Sequence, residues 1–231
     1  NVRELFQCLN FQVIPIAVDD QGMRVEDFPL QGADLILTSP ALQFPTGSSL
    51  SAVRRRKLRQ WATRHDALII ENDSFAMLGF GQSVIPALSQ HYPDPQVIYL
   101  THLAELTGNG MNICCITAPL PFMQLMQHFL PLLISETNPL TRALLSAFLD
   151  SAHFMKYLTA SLQTRQQKSA LAQEGIALWA PEIRCCGMKN AGFLTFRAEI
   201  RQVPEELLNQ SFFLLDSFRH APQETGQKQQ S

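Results

Sequence analysis

Arg64-His65-Asp66-Ala67-Leu68-Ile69-Ile70-Glu71-Asn72-Asp73 is the stretch on which the fold turns. Its first residues close a helical pattern, and its middle is a short apolar run bounded by charged and amide side chains. Residues 67–71 (ALIIE) fit a strand buried on both faces, as strands of a parallel sheet are. The helical pattern before it covers residues 51–65 and opens at a capping serine. Leu50, Val53, Leu58, Trp61 and Ala62 fall on one face of that helix. Arg54, Arg55, Arg56 and Arg59 fall largely on the other, which reads as a solvated basic face.

Outward from there the same alternation continues, which is the α/β signature. Residues 12–16 read as a strand closed by the turn Asp19-Asp20-Gln21-Gly22, and residues 34–38 (DLILT) as a second. Residues 97–101 (VIYLT) and 113–117 (ICCIT) complete the set. Beyond Pro119 the pattern turns helical, with one helix over 122–133 and a single long one from 140 to about 173. Leu144, Leu145, Phe148, Met155, Leu158 and Leu162 make one apolar stripe along it, either a dimer seam or a helix lying across the domain. Residues 192–197 and 211–215 read as strands of a small α+β portion, and residues 223–231 as a polar end. The expectation is an α/β protein whose mostly parallel sheet is flanked by helices, with a small partial C-terminal α+β domain. Its divisions are a partial large domain over 1–135, the long helix and partial small domain over 136–218, and a polar tail over 219–231.

Composition narrows the function classes. With 46% hydrophobic and 16% charged residues and a net charge of -2, the chain supports a real core and presents no field for nucleic acid or an anionic membrane. DNA binding would need a separate element. The longest apolar region, 119–134, is broken by Gln124, Gln127 and His128, short of a membrane span. With no signal-like start, a cytoplasmic address is expected. Cys8, Cys114, Cys115, Cys185 and Cys186 are odd in number and include two vicinal pairs. Adjacent strand residues point to opposite faces, so each pair offers one thiolate to a shared metal. The expected role is that of small buried hydrophobes, with no metal site.

Several motifs, in this order and spacing, resemble the aminotransferase-like domain of MocR-type regulators in the GntR superfamily. Ser39-Pro40-Ala41-Leu42-Gln43-Phe44-Pro45-Thr46-Gly47 is similar to that family's His-Gln-Phe-Pro-Thr-Gly turn. The arginine-studded helix and the strand after it resemble the family's run ending Leu-Ile-Ile-Glu-Asp-Asp. Val97-Ile98-Tyr99-Leu100 then leads into the place of Thr-Phe-Ser-Lys-Thr-Leu-Ala-Pro-Gly-Leu-Arg. The resemblance runs from about residue 1 to 218. It implies the fold type I architecture of pyridoxal-phosphate enzymes, and a chain truncated at both ends relative to the family. The family's winged-helix DNA-binding region would then lie outside this chain, before Asn1.

The resemblance also marks a vestigial cofactor pocket. The lysine that forms the aldimine matches Glu105, and a carboxylate cannot form a Schiff base. The carboxylate that pairs with the pyridinium nitrogen matches Asn72, and the tyrosine at the ring hydroxyl matches Ser74. The hydroxyls before the lysine match His102 and Ala104, and the anion-binding arginine matches Asn112. The turn Gln43, Phe44, Pro45, Thr46 and Gly47 is a second contact candidate, against an ordinary turn into a helix. Asn72 likewise is either a ligand contact or an Asx cap for the loop that follows it. The expectation is a non-catalytic effector-sensing or dimerisation domain of a MocR-type regulator, with no covalently bound cofactor and pyridoxal 5'-phosphate as the ancestral one. Expected partners are a second copy and a small effector; DNA is reached only through the separate winged helix, and no membrane is involved. The alternative is a fragment of a pyridoxal-phosphate-dependent class I/II aminotransferase.

Overall fold

The computed structural model describes residues 2–44, 46–74, 86–88, 96–103, 113–133, 138–179, 184–186 and 195–197, all within one unit, Asn1–Arg197. Helix α1 (Val2–Cys8) is followed by a stretch outside helix and strand and then by a small antiparallel hairpin of β1 (Val18–Asp19) and β2 (Gly22–Met23). The turn expected at residues 19–22 joins these two strands. The strand expected over residues 12–16 does not form. No backbone hydrogen bond ties Gln12–Ile16 to another described segment, and a strand exists only as a member of a ladder.

A four-stranded sheet carries the rest: β3 (Leu35–Thr38), β4 (Leu68–Asn72), β5 (Val97–His102) and β6 (Cys114–Thr117), in that spatial order. β3, β4 and β5 run parallel and β6 antiparallel. The deciding strand is thus internal, one residue later than its sequence pattern. Burial corrects the expectation that both faces are covered. Ile36, Thr38, Ile69 and Glu71 are buried, whereas Leu37 on the opposite face of β3 is 41% exposed.

Helix α2 (Ala52–His65) covers the buried face, with Leu58 and Ala62 packed on Ile36, Ile69 and Val97. Ser51 caps it by accepting from the Arg54 N–H, and Asp66 ends it in the left-handed region. Its faces differ from the sequence reading. Val53 is exposed, while Arg54 is buried and donates to Asp19, to the Gly22 carbonyl at 2.9 Å and to Glu26 at 2.6 Å. Arg55 and Arg59 donate to the carbonyls of Pro86 and Leu88. Three of the four arginines expected in solvent are therefore tied to other segments of the chain, because a guanidinium reaches past the helix edge to carboxylates and carbonyls beside it.

Helix α3 is Leu120–Leu133. The single long helix expected next is two, α4 (Pro139–Leu149) and α5 (Ala152–Trp179). The break sits at Asp150-Ser151, residue types whose side chains compete for helix backbone groups. Ser151 Oγ donates to the Phe148 carbonyl at 2.7 Å. Phe148 meets Phe154 and Tyr157 edge-on, with ring centres 5.6 and 5.5 Å apart, which packs the start of α5 against the end of α4. The expected stripe is split accordingly: Leu145 and Leu158 join Leu103 in a second core cluster, and Leu144 and Met155 are exposed. β7 (Arg184–Cys186), unforeseen from the sequence, pairs antiparallel with β8 (Thr195–Arg197), the end of the strand expected over 192–197. The strand expected over 211–215 lies outside the described residues.

Candidate functional site

Parallel strands deliver their carboxyl ends to one edge of a sheet, and open α/β sheets bind ligands there. β4 ends at Asn72 and β5 at His102. The register pairs Asn72 with Leu100, so Asn72, Leu100 and His102 share the face turned away from α2. His102 stands opposite Cys114 of β6. Asn72 is used locally: its Oδ1 accepts from the Ser74 N–H at 3.2 Å and the Ser74 hydroxyl at 2.7 Å. That is an Asx turn, one of the two roles open to this position from its sequence. None of Asn72, Ser74, Leu100 and His102 is a carboxylate, so the described side chains here do not fit the ring nitrogen of pyridoxal phosphate. Ala104, Glu105, Asn112 and Pro45 lie outside the described residues.

Asp73 shows why the neighbouring acid does not substitute. One residue further along the chain, it faces the α2 side and accepts from the Tyr99 hydroxyl at 2.8 Å. Burial pushes its carboxyl up to about 6 against the opposing pull of Tyr99 and Arg55. The Tyr99 phenol is pushed up by burial and by Asp73. Beside it, Glu71 is fully buried and takes the Leu88 N–H on both oxygens at 2.9 Å. Desolvation lowers the Arg55 guanidinium, with Glu71 and Asp73 acting in the other direction. Asp73 Oδ1, Arg55 Nη2 and Thr101 Oγ1 are buried with no hydrogen-bond partner among the described residues. Sequence reasoning missed this polar cluster. Its signal was Glu71 and Asp73 beside an apolar run, facing a helix that carries Arg55.

The Gln43–Gly47 loop closes on itself. Gln43 and Ser48 form an isolated bridge, the Gly47 N–H reaches the Gln43 carbonyl at 2.7 Å, and Thr46 Oγ1 shares a hydrogen bond with Ser48 Oγ at 2.9 Å. Gly47 holds a φ of 69°, which glycine adopts without a Cβ penalty. The hydroxyls are used within the turn, as in an ordinary turn into a helix. Cys8, Cys114 and Cys115 are free and exposed, not the small core residues expected, because α1 and β6 have uncovered sides. Burial nevertheless pushes the Cys114 thiol up. Among the described residues no helix is long and apolar enough to cross a membrane, and no three metal-binding side chains converge.

No family model matches the chain. By sequence it is similar to the uncharacterized HTH-type transcriptional regulator YhdI of Bacillus subtilis, 25% identical over 174 residues. It is also similar to the probable rhizopine catabolism regulatory protein MocR of Rhizobium meliloti, 28% identical over 176 residues. These matches cover 75% and 73% of this chain but only 37% and 35% of the two regulators, so the chain spans about a third of their length. In structure it is similar to the multiple substrate aminotransferase of Thermococcus profundus, with TM-score 0.72 and 20% identity over 84% of this chain and 51% of that one. The chain therefore has the fold type I architecture of pyridoxal-phosphate-dependent aminotransferases and is similar in sequence to transcriptional regulators such as YhdI and MocR.

Proposed function

We propose that this chain is a non-catalytic aminotransferase-like module of a MocR-type regulator, cytoplasmic, serving effector sensing and dimerisation rather than amino-group transfer. The observation that carries the reading is the use of Asn72. The position aligned with the ring-nitrogen carboxylate is an amide whose oxygen is engaged by Ser74, and the nearest acid, Asp73, sits on the other side of the sheet. An amide cannot hold the charged pyridinium that makes the ring an electron sink. The aligned Schiff-base position, Glu105, offers no amine. DNA contact would belong to a winged helix outside these residues, and a small effector and a second copy are the proposed partners.

The test is titration with pyridoxal phosphate followed by borohydride reduction and mass spectrometry. The expected result is no aldimine absorbance and no adduct on Lys57, Lys156, Lys168, Lys189 or Lys228. A stoichiometric adduct on one lysine would overturn the reading in favour of an aminotransferase fragment. Glu105→Lys alone is expected to give at most a weak, exchangeable aldimine. Adding Asn72→Asp and Asn112→Arg should raise cofactor affinity more than the separate effects sum to, as members of one site do.

A further inference from the structure

The buried atoms Asp73 Oδ1, Arg55 Nη2 and Thr101 Oγ1, which have no hydrogen-bond partner among the described residues, come from different elements, and the backbone brings them together. Glu71 pairs with Tyr99 in the register of β4 and β5. The Asp73 N–H donates to the Leu100 carbonyl at 2.8 Å, which carries that ladder past Asn72. Asp73 and Thr101 therefore stand side by side, on the same face as Glu71 and Tyr99. These side chains form a polar square on a face that is otherwise packed with Ile69 and Val97. Helix α2 covers this face and sends Arg55 to it, close enough for its charge to act on Asp73 and to be acted on by Glu71 and Asp73.

The other polar atoms of the square are engaged. Asp73 Oδ2 accepts from the Tyr99 hydroxyl at 2.8 Å, and both oxygens of Glu71 accept from the Leu88 N–H at 2.9 Å. Arg55 donates from Nε to the Leu50 carbonyl at 3.0 Å and from Nη1 to the Pro86 carbonyl at 2.6 Å. What remains is a carboxylate acceptor, a guanidinium donor and a hydroxyl that can play either part. Leaving such atoms unsatisfied away from solvent is costly, and native proteins almost always give them a partner.

We propose that Asp73 Oδ1, Arg55 Nη2 and Thr101 Oγ1 together hold a single internal water molecule. The water accepts from Arg55 Nη2, donates to Asp73 Oδ1 and shares a hydrogen bond with Thr101 Oγ1. Charge selects this occupant. A cation would be repelled by the Arg55 guanidinium and an anion by Glu71 and Asp73, whereas water is neutral and both donates and accepts. The bridge ties α2 to the carboxyl ends of β4 and β5. It does so from the face opposite Asn72, Leu100 and His102, and so holds that edge of the sheet in place from behind.

The experiment is a crystal structure of the protein at a resolution that shows ordered solvent. One water within hydrogen-bond distance of all three atoms is the expected result. A protein group in that place, direct contact of Arg55 Nη2 with Asp73 Oδ1, or no solvent density between the three atoms overturns the proposal. Denaturation gives a second readout. Thr101→Val replaces the hydroxyl with a methyl group of the same size. If the hydroxyl holds the water, the change leaves the water short of a partner and should lower the folding equilibrium constant about tenfold. If the hydroxyl is a dry, unsatisfied group, the same change removes a burden and stability stays equal or rises, which also overturns the proposal. Should that variant not fold, the crystal structure of the parent decides alone. None of the three atoms belongs to a position aligned with the cofactor site, so this result stands apart from the titration with pyridoxal phosphate.

Discussion

At the scale of single residues, Asp73 couples ionisation to stability. Its carboxyl is buried beside Tyr99 and held at about 6 rather than at its ordinary 3.8. Between those values the folded chain keeps a proton that the unfolded chain has released. The stabilisation of the protonated form is therefore complete below about pH 4 and is lost as pH rises through about 6. Asp73→Asn keeps an acceptor for Tyr99 and removes the charge. Chemical denaturation should show it more stable than the parent at pH 7, on the order of 1 kcal/mol after screening and the attraction of Arg55, and no different at pH 4. Equal stability at both pH values would remove Asp73 from the account. Gly22 makes the opposite case. Its φ is 87°, and a Cβ there would lie 2.7 Å from Leu50 Cα, a backbone atom that cannot swing away. Gly22→Ala should lower stability by about 2 kcal/mol or more in the same assay.

At the scale of elements, the helix α2 and strand β4 were legible because both rest on local pattern. A capping serine, a 3.6-residue apolar spacing and an apolar pentad need no distant partner to be recognised. Ser51→Ala should cost about 1 kcal/mol, measurable in a urea titration, as loss of a serine cap does. Elements that depend on a partner were misread. Residues 12–16 have strand composition and no ladder among the described residues. Residues 140–173 have one helical stripe and a break at Asp150-Ser151 across which three aromatic rings meet edge-on. Alternating polar and apolar residues cannot reveal whether a ladder partner is present or where two helices turn on each other.

At the scale of the whole molecule, much apolar surface remains outside the two core clusters. On α3, Leu125, Phe129 and Leu132 recur at helical spacing on one face and are 54%, 47% and 74% exposed. A row of exposed apolar side chains on one helix face favours association with another surface. Sedimentation should find the chain self-associated, and Leu125→Glu with Phe129→Glu should shift it toward monomer. A clean monomer at high concentration would refute this.

By itself the sequence determined the α/β class and the order of the helices and strands around Ala67–Asn72, because these follow from local periodicity and capping. The tertiary structure alone decided the rest. It turned Asp73 toward Tyr99 and Asn72 toward Ser74, and buried Arg54 between Asp19 and Glu26. Each of these depends on which backbone and side-chain groups meet across many residues of chain. A linear pattern carries the propensity of a segment but not the identity of the group that satisfies it.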